Sequence, residues 1–337
     1  MGLQMTDSNE LIIKGSFVFP NQSIESSKYS ISMLVIDSTS RAQFLRHMKK
    51  TTELLMSLDS VIFEAYNKVG DNSGVNMLPI LAEQLQETKN ISEIDKTGDV
   101  NIYKILPSNI QLNPDTIDFI WKELNISEYK TMFNDDIMHT SRGLFHYPPY
   151  NFQPGFKQKP TNIYYRPYYN HIYNQLNNYW RKCYDGEVMA EIFIDSWFRF
   201  ERIYGDVPHF GFNFISSLTH DDPNNLQILD DILFERIRFL KKSKSLQNTF
   251  LIIMGDHGNR IHPLNRYTFA GKIEERAPFL SIYAPITFRK KYPEKFEQLK
   301  ENSQRFISNF DVHETLREIL DIEKEGNRRG TVWIGDK

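Results

Sequence analysis
The sequence predicts an α/β fold: a mostly parallel central sheet with helices on both faces. Three observations lead there. Short apolar runs with no polar alternation, such as Ile31–Ile36 and Phe250–Met254, read as strands buried on both sides. Between them lie longer segments whose apolar residues recur at steps of three and four. Strand and helix signals then alternate along the chain with no internal repeat, the pattern of crossover-connected parallel strands.

The elements follow in order. The run ISMLVI, Ile31–Ile36, ends at Asp37, and Ser38, Thr39 and Ser40 are suited to start a helix. That helix carries Phe44, Leu45 and Met48, then Leu54, Leu55 and Leu58 after a break. Val61–Tyr66 reads as a second strand, running into the polar turn Val69–Gly74. A helix through Met77, Leu78, Ile80, Leu81 and Leu85 comes next. Residues 86–130 are less regular; a short strand over Asn101–Leu106 and a helix across Asp115–Leu124 are expected. Residues 139–180 are rich in Pro, Tyr and Asn. So aromatic a stretch reads as an ordered, irregular excursion lining a site rather than a linker.

Helical spacing resumes over 187–204, through Met189, Ile192, Phe193, Ser196, Trp197 and Phe200. Phe210–Leu218 is a further strand, ending at Thr219–Asp222. Asp222 followed by Pro223 is a helix cap with proline in the first turn, ahead of Leu226, Leu229, Leu233, Ile237 and Leu240. Phe250–Met254 then ends abruptly in Gly255, Asp256, His257 and Gly258. Leu280–Tyr283 is the last strand, and Asp311–Glu314 reads as a capping box opening the last helix. One domain is expected over 29–322, preceded by a poorly ordered segment, 1–28, and followed by a tail, 323–337.

Composition sets the outer limits. A chain of 337 residues with 40% hydrophobic and 25% charged residues is ordinary for a globular protein. A net charge of −3 argues against a general nucleic-acid or anionic-membrane binder. No run approaches the length of a transmembrane segment. Cys183 stands alone, so no internal disulfide forms. The first residues lack the basic and apolar regions of a signal peptide. Sequons at Asn21, Asn90 and Asn125 are no more than chance supplies in a chain this rich in Asn and Ser.

The chemistry collects at strand ends. Asp37, His220 and the pair Asp256 and His257 each follow a predicted buried strand, and Ser73 lies in a turn after another. In a parallel sheet those ends share one edge, where ligands bind. Two carboxylates, two imidazoles and a hydroxyl suit one or two divalent ions with a nucleophile beside them. Such ions neutralise a phosphate or sulfate, lower the pKa of the hydroxyl and stabilise the leaving oxygen. Arg260 is placed to clamp an anionic group. Each residue also has an ordinary explanation: Asp37 as a helix cap, His220 as a strand-end histidine, Ser73 as a turn former, Asp-His-Gly as a solvated turn.

The segments around Asp37 (VID), Ser73 (GDNS), His220 (THDDPN), Asp256 (MGDHGNR) and Asp311 (DVHETL) resemble the alkaline phosphatase/sulfatase superfamily. Within it the chain looks like the family called domain of unknown function 229. The signatures are GFKQKPTNIYYRP (Gly155–Pro167), LTHDDPN (Leu218–Asn224), NTFLIIMGDHGNR (Asn248–Arg260) and GKIEERAPFLSIYAP (Gly271–Pro285). The resemblance runs from about residue 30 to 320. It implies a sulfatase-like fold with Asp37, Asp256 and His257 as metal ligands, Ser73 as the nucleophile, and a second ligand pair at His220 and Asn224, with Asp221 as a substitute for Asn224.

It also implies a divalent metal cofactor, zinc first, an anionic small-molecule or glycan ligand, and an extracellular or secretory setting. Relative to that family the chain is expected to be shortened at both ends. The superfamily's further C-terminal histidine has only His313 to match it, which the helix pattern places in packing. Cys183 lies outside any C-x-P-S-R context, so formylglycine sulfatase chemistry is not expected. The function expected is metal-dependent hydrolysis of phosphate or related esters. The alternative is an inactive sulfatase-fold protein that binds a glycan or a protein partner, using the Tyr-rich stretch 145–180.

Overall fold
In the computed structural model the described residues are 2–5, 11–14, 28–82, 111–124, 128–137, 139, 143–146, 152–176 and 183–320. Seven strands make the main sheet. They are β1 (Ser30–Ile36), β2 (Val61–Ile62), β3 (Lys130–Asp135), β4 (Ile163–Tyr164), β5 (His209–Ile215), β6 (Thr249–Gly255) and β7 (Leu280–Tyr283). Their order across the sheet is β2-β7-β6-β1-β5-β3-β4. Only β7 is reversed, pairing antiparallel with both β6 and β2; the others run parallel.

Every residue of β1, β5 and β6 is buried, which explains the continuous apolar runs. Alternate side chains go to opposite faces. Ile31, Met33 and Val35 of β1, with Phe250, Ile252 and Met254 of β6, meet the helices Ser73–Ala82 and Asn309–Ile319. Leu34 and Ile36, with Leu251 and Ile253, meet Arg41–His47, Met189–Tyr204 and Ile228–Lys242 on the other face. Helices therefore cover both faces, as the alternation predicts.

Register positions the site. Ile36 of β1 pairs with Ile215 of β5 and with Gly255 of β6. The residues that follow, Asp37, Ser216 and Asp256, consequently leave the sheet at one level on its C-terminal edge.

The structure departs from the sequence reading in several places. Val61–Tyr66 is not one strand. After β2, Phe63 N–H still donates to Leu280 O of β7, but Glu64 N–H donates to Ser303 O, so the chain leaves the main sheet there. Ala65–Tyr66 then pairs in parallel with Phe306–Ile307 in a separate sheet. The expected helix over Asp115–Leu124 is a 3₁₀ turn, Pro114–Thr116, and a four-residue helix, Ile120–Glu123. Between them Ile117 and Phe119 are extended, and Phe119 stacks on Trp121 at 4.4 Å. Strand β5 ends at Ile215, three residues early. The last capping box is shifted as well: Ser308 is the cap, and Asp311 answers it by accepting from Ser308 N–H (2.7 Å) and Oγ (2.8 Å). The expected strand over Asn101–Leu106 lies outside the described residues, as does the tail 323–337. The stretch 139–180 holds β4 and the helix Arg166–Leu176. Among the described residues no helix is long and apolar enough to cross a membrane.

At the opposite, N-terminal end of β5 lies a buried ion pair. His209 Nε2 is 3.0 Å from Glu201 Oε2, and His209 Nδ1 faces Val207 O at 2.9 Å. Both partners are acceptors, so both ring nitrogens carry protons. Burial opposes that charge, but Glu201 and the backbone carbonyls outweigh it and raise the pKa above 6.5. The charged His209 thus stabilises the fold fully below that value, and the contribution is lost as pH rises through the higher native value. Thermal midpoints measured between about pH 6 and pH 9 should fall more steeply for the native chain than for Glu201→Gln. Identical pH dependence in both would remove the pair as the cause.

Candidate metal centre
Three of the sequence-predicted ligands converge. Ligand atoms of Asp37, Asp256 and His257, all buried, lie within 4.8 Å of one another. Asp37 follows β1 directly. Its Oδ1 accepts from Ser38 Oγ (2.9 Å) and its Oδ2 from Ser216 Oγ (2.5 Å), while its backbone carbonyl accepts from Thr219 Oγ1 (2.6 Å). Ser38 holds a left-handed backbone, φ 58°, which is uncommon for a residue with a side chain. That turn aims Ser38 N–H at Asp256 Oδ1, 2.9 Å away.

Asp256 follows β6. Its Oδ1 takes a second bond from His257 N–H at 2.8 Å. Its Oδ2 is buried and accepts no hydrogen bond among the described residues. That orphaned oxygen lies 3.4 Å from His257 Nε2, which is 3.9 Å from Asp37 Oδ1. His257 Nδ1 donates to Gly258 O at 2.9 Å, which turns Nε2 toward the two carboxylates as the ring's ligand atom. Two ligands at tetrahedral positions about a zinc-sized ion are separated by about 3.4 Å. The donor set therefore fits a divalent cation held by Asp37, Asp256 and His257.

The electrostatics point the same way. Burial is the main effect raising the Asp256 pKa; His257 opposes it and the Asp37 charge adds to it. Two buried carboxylates this close repel each other, and a cation between them relieves the repulsion. The Ser73 hydroxyl also favours the charged form of Asp256, although it closes no hydrogen bond of ordinary geometry to Oδ2.

Ser73 is the first residue of the helix Ser73–Ala82, whose N-terminal end favours negative charge. The turn that delivers it is fixed by Asn76, a fully buried residue one turn on. Asn76 Nδ2 donates to Gly70 O (2.7 Å) and Asn72 O (3.0 Å), and its Oδ1 accepts from Val69 and Gly70 N–H (2.8 and 3.0 Å). Asn309 Nδ2 ties the Asn76 carbonyl to the last helix at 2.6 Å.

The other candidates stand further out. His220 is not within the group of three. Its Nδ1 donates to Asp221 Oδ1 at 2.7 Å, so Nε2 is left as its ligand atom. Burial would lower its pKa, but the charge of Asp37 and the contact with Asp221 raise it overall. Arg260 acts on the same imidazole, lowering its pKa, and makes no ion pair among the described residues. Asn259 holds the two together: its Nδ2 donates to His220 O (3.2 Å), and its Oδ1 accepts from Ile261 and His262 N–H. Asn224 is exposed and bonded to Asp222, the cap of the next turn. His313 Nδ1 donates to Ile80 O at 2.7 Å, and burial pushes its pKa down to about 4, so it ties two helices together.

Asn76 and Asp136 escape the sequence reading. Asp136, buried beyond β3, accepts from Ser216 N–H (2.6 Å) and Ser217 Oγ (2.5 Å), and so fixes the serine that holds Asp37. Burial pushes its carboxyl up to about 7. A lone asparagine in the apolar helix VNMLPILA, and an acidic pair at the close of a buried strand, are the signals available for them.

The family described as "Protein of unknown function (DUF229)" matches residues 8–332. Comparison with curated protein sequences found no match. Solved structures are similar throughout. An alkaline phosphatase superfamily protein from Vibrio parahaemolyticus is 14% identical, with a TM-score of 0.54 over 94% of this chain and 72% of that one. The lipoteichoic acid synthase LtaP from Listeria monocytogenes is 12% identical, with a TM-score of 0.51 over 99% and 78%. Ps i-CgsB in complex with k-i-k-neocarrahexaose is 14% identical, with a TM-score of 0.55 over 90% and 75%. At such identities the likeness is one of fold.

Proposed function
This chain belongs to the DUF229 family, and from that premise we propose that it is a metal-dependent hydrolase of phosphate or related esters. The observation that carries the reading is the buried trio Asp37, Asp256 and His257, with one carboxylate oxygen left without a partner. A divalent ion held there, zinc by its donor set, would supply the positive charge that draws in the ester and acidifies a nearby hydroxyl. Ser73 is the nucleophile in this reading, held at a helix N-terminus by the Asn76 clamp. Arg260, beyond the imidazole of His220, orients the anionic group of the substrate. His220 Nε2 holds a second, weaker ion. The reading carries with it the extracellular or secretory setting that the family resemblance implies.

A binding protein without turnover is the second reading, and one observation favours it. The second ligand set is thin, since Asn224 is exposed with its amide turned to Asp222, and His313 is buried where it ties two helices together. The deciding experiment measures metal per chain on protein purified without chelator, together with hydrolysis of p-nitrophenyl phosphate mono- and diesters. Ser73→Ala should keep its metal and lose about a hundredfold or more in turnover, as loss of an activated nucleophile does. Metal without turnover in the native chain would establish the binding protein. Equal turnover in native and Ser73→Ala would remove Ser73 from the chemistry.

A further inference from the structure
Immediately beyond the candidate ligands the chain makes a helical excursion that presents its apolar side chains to solvent. Ten large apolar side chains are exposed among the described residues, and five of them fall between Ile261 and Ile273. They are Ile261, Leu264, Tyr267 (75% exposed), Phe269 (82%) and Ile273. The other five are scattered singly, as on any protein surface. The helices Pro263–Tyr267 and Phe269–Arg276 carry all but Ile261, with Phe269, Lys272, Ile273 and Arg276 at the spacing of one helical stripe.

The charges within the excursion are segregated. Arg266 and Lys272 are exposed among the apolar side chains, and the Arg266 guanidinium lies 5.5 Å from the Tyr267 ring. Both acidic residues are partly buried and paired: Glu274 with Arg46 (2.8 Å) and Ser40, Glu275 with Lys68 (2.6 Å). The outer face is thus apolar and cationic, although the whole chain is acidic at −3.

The excursion is also anchored. Gly258 N–H donates to Glu275 O at 2.9 Å, closing its neck one residue past His257, and Lys68 N–H donates to Arg276 O at 3.1 Å. Gly271 packs so closely on Asn265 that a Cβ would lie 2.3 Å from the Asn265 Cα.

We propose that this face docks on an anionic lipid surface, inserting Leu264, Tyr267, Phe269 and Ile273 at the interface while Arg266 and Lys272 meet the headgroups. Aromatic and aliphatic side chains interleaved with cations are the chemistry of interfacial attachment, and a local basic patch acts within a Debye length whatever the net charge. The attachment brings the metal centre, joined to the neck, to the lipid surface. It does not rest on turnover at that centre.

Co-sedimentation of the full chain with phosphatidylcholine vesicles, with and without about 30% phosphatidylserine, tests it. The native chain should bind the anionic vesicles at least about tenfold more tightly than the neutral ones. Phe269→Ser with Ile273→Ser, and separately Arg266→Glu with Lys272→Glu, should each weaken that binding by about tenfold or more. Phe306→Ser, an exposed phenylalanine elsewhere, should leave it unchanged. Unaltered thermal midpoints in the paired variants show that their fold is intact. Three outcomes would overturn the proposal: no binding to either vesicle, equal binding to both, or variants that dissociate a dimer of the native chain. The last would show that a second copy covers the face.

Discussion

Asp256→Ala and Asp256→Asn are both expected to lose stoichiometric metal, with affinity down by about a hundredfold or more, since a charged ligand is removed outright. The two should differ in stability. Asparagine keeps an acceptor for the Ser38 and His257 N–H groups that now bond Oδ1, at 2.9 and 2.8 Å. Its amide also reaches toward His257 Nε2, 3.4 Å from the present Oδ2. Alanine abandons both donors in a fully buried place and should cost about 1–3 kcal/mol more. The asparagine variant should therefore melt near the metal-free native chain while holding no metal. Native protein at a hundredfold excess of ion over Kd should gain about 2.7 kcal/mol that neither variant shares. Metal content by mass spectrometry beside calorimetry reads both effects. Retention of metal by the asparagine variant would remove Asp256 from the ligand set.

Gly258→Ala is the second large effect. Gly258 sits between His257 and the neck of the helical excursion, and a Cβ there would lie 2.1 Å from Glu274 O and 2.7 Å from both Glu274 C and Glu275 Cα. All of these are backbone atoms, so no rotamer change makes room. The main chain must separate, which breaks the 2.9 Å bond from Gly258 N–H to Glu275 O. Overpacking of ordinary side chains costs about 1–3 kcal/mol, and a clash with fixed backbone lies at or above that range. The expected result is a loss of about 3 kcal/mol or more in urea unfolding, with weakened metal binding because His257 Nδ1 donates to the Gly258 carbonyl. A variant with native stability would mean that the neck is not closed in solution.

Much of this candidate site's convergence was legible because it depends on register alone. Asp37, Asp256 and His257 each follow a run buried on both faces, and parallel pairing of Ile36 with Gly255 brings them to one level. No side-chain detail is needed for that. His220 shows where this reasoning stops. Its strand ends at Ile215, and the turn from Ser216 to His220 is set by Asp136, some eighty residues earlier in the chain. A contact of that kind has no local signal. Asn76 is similar: its four bonds to the turn before Ser73 exist only once the helix has formed against Asn309. The split at Val61–Tyr66 has the same origin, since Glu64 N–H answers to the distant carbonyl of Ser303 rather than to a strand of the main sheet. The fold class, by contrast, follows from periodicity and was fully readable.

The main sheet narrows toward its margins. Seven-residue strands fill the middle, while β2 and β4 at the two borders are each only two residues long. A border that short offers a passing chain almost no ladder of free N–H and C=O groups on which to build, so strand-by-strand growth from native molecules finds no template there. The apolar runs FLIIM and ISMLVI, free of charge and of proline, lie on fully buried strands in the middle of that sheet. Fibril formation from this protein should accordingly track its global unfolding, rising only under conditions that open the middle of the sheet.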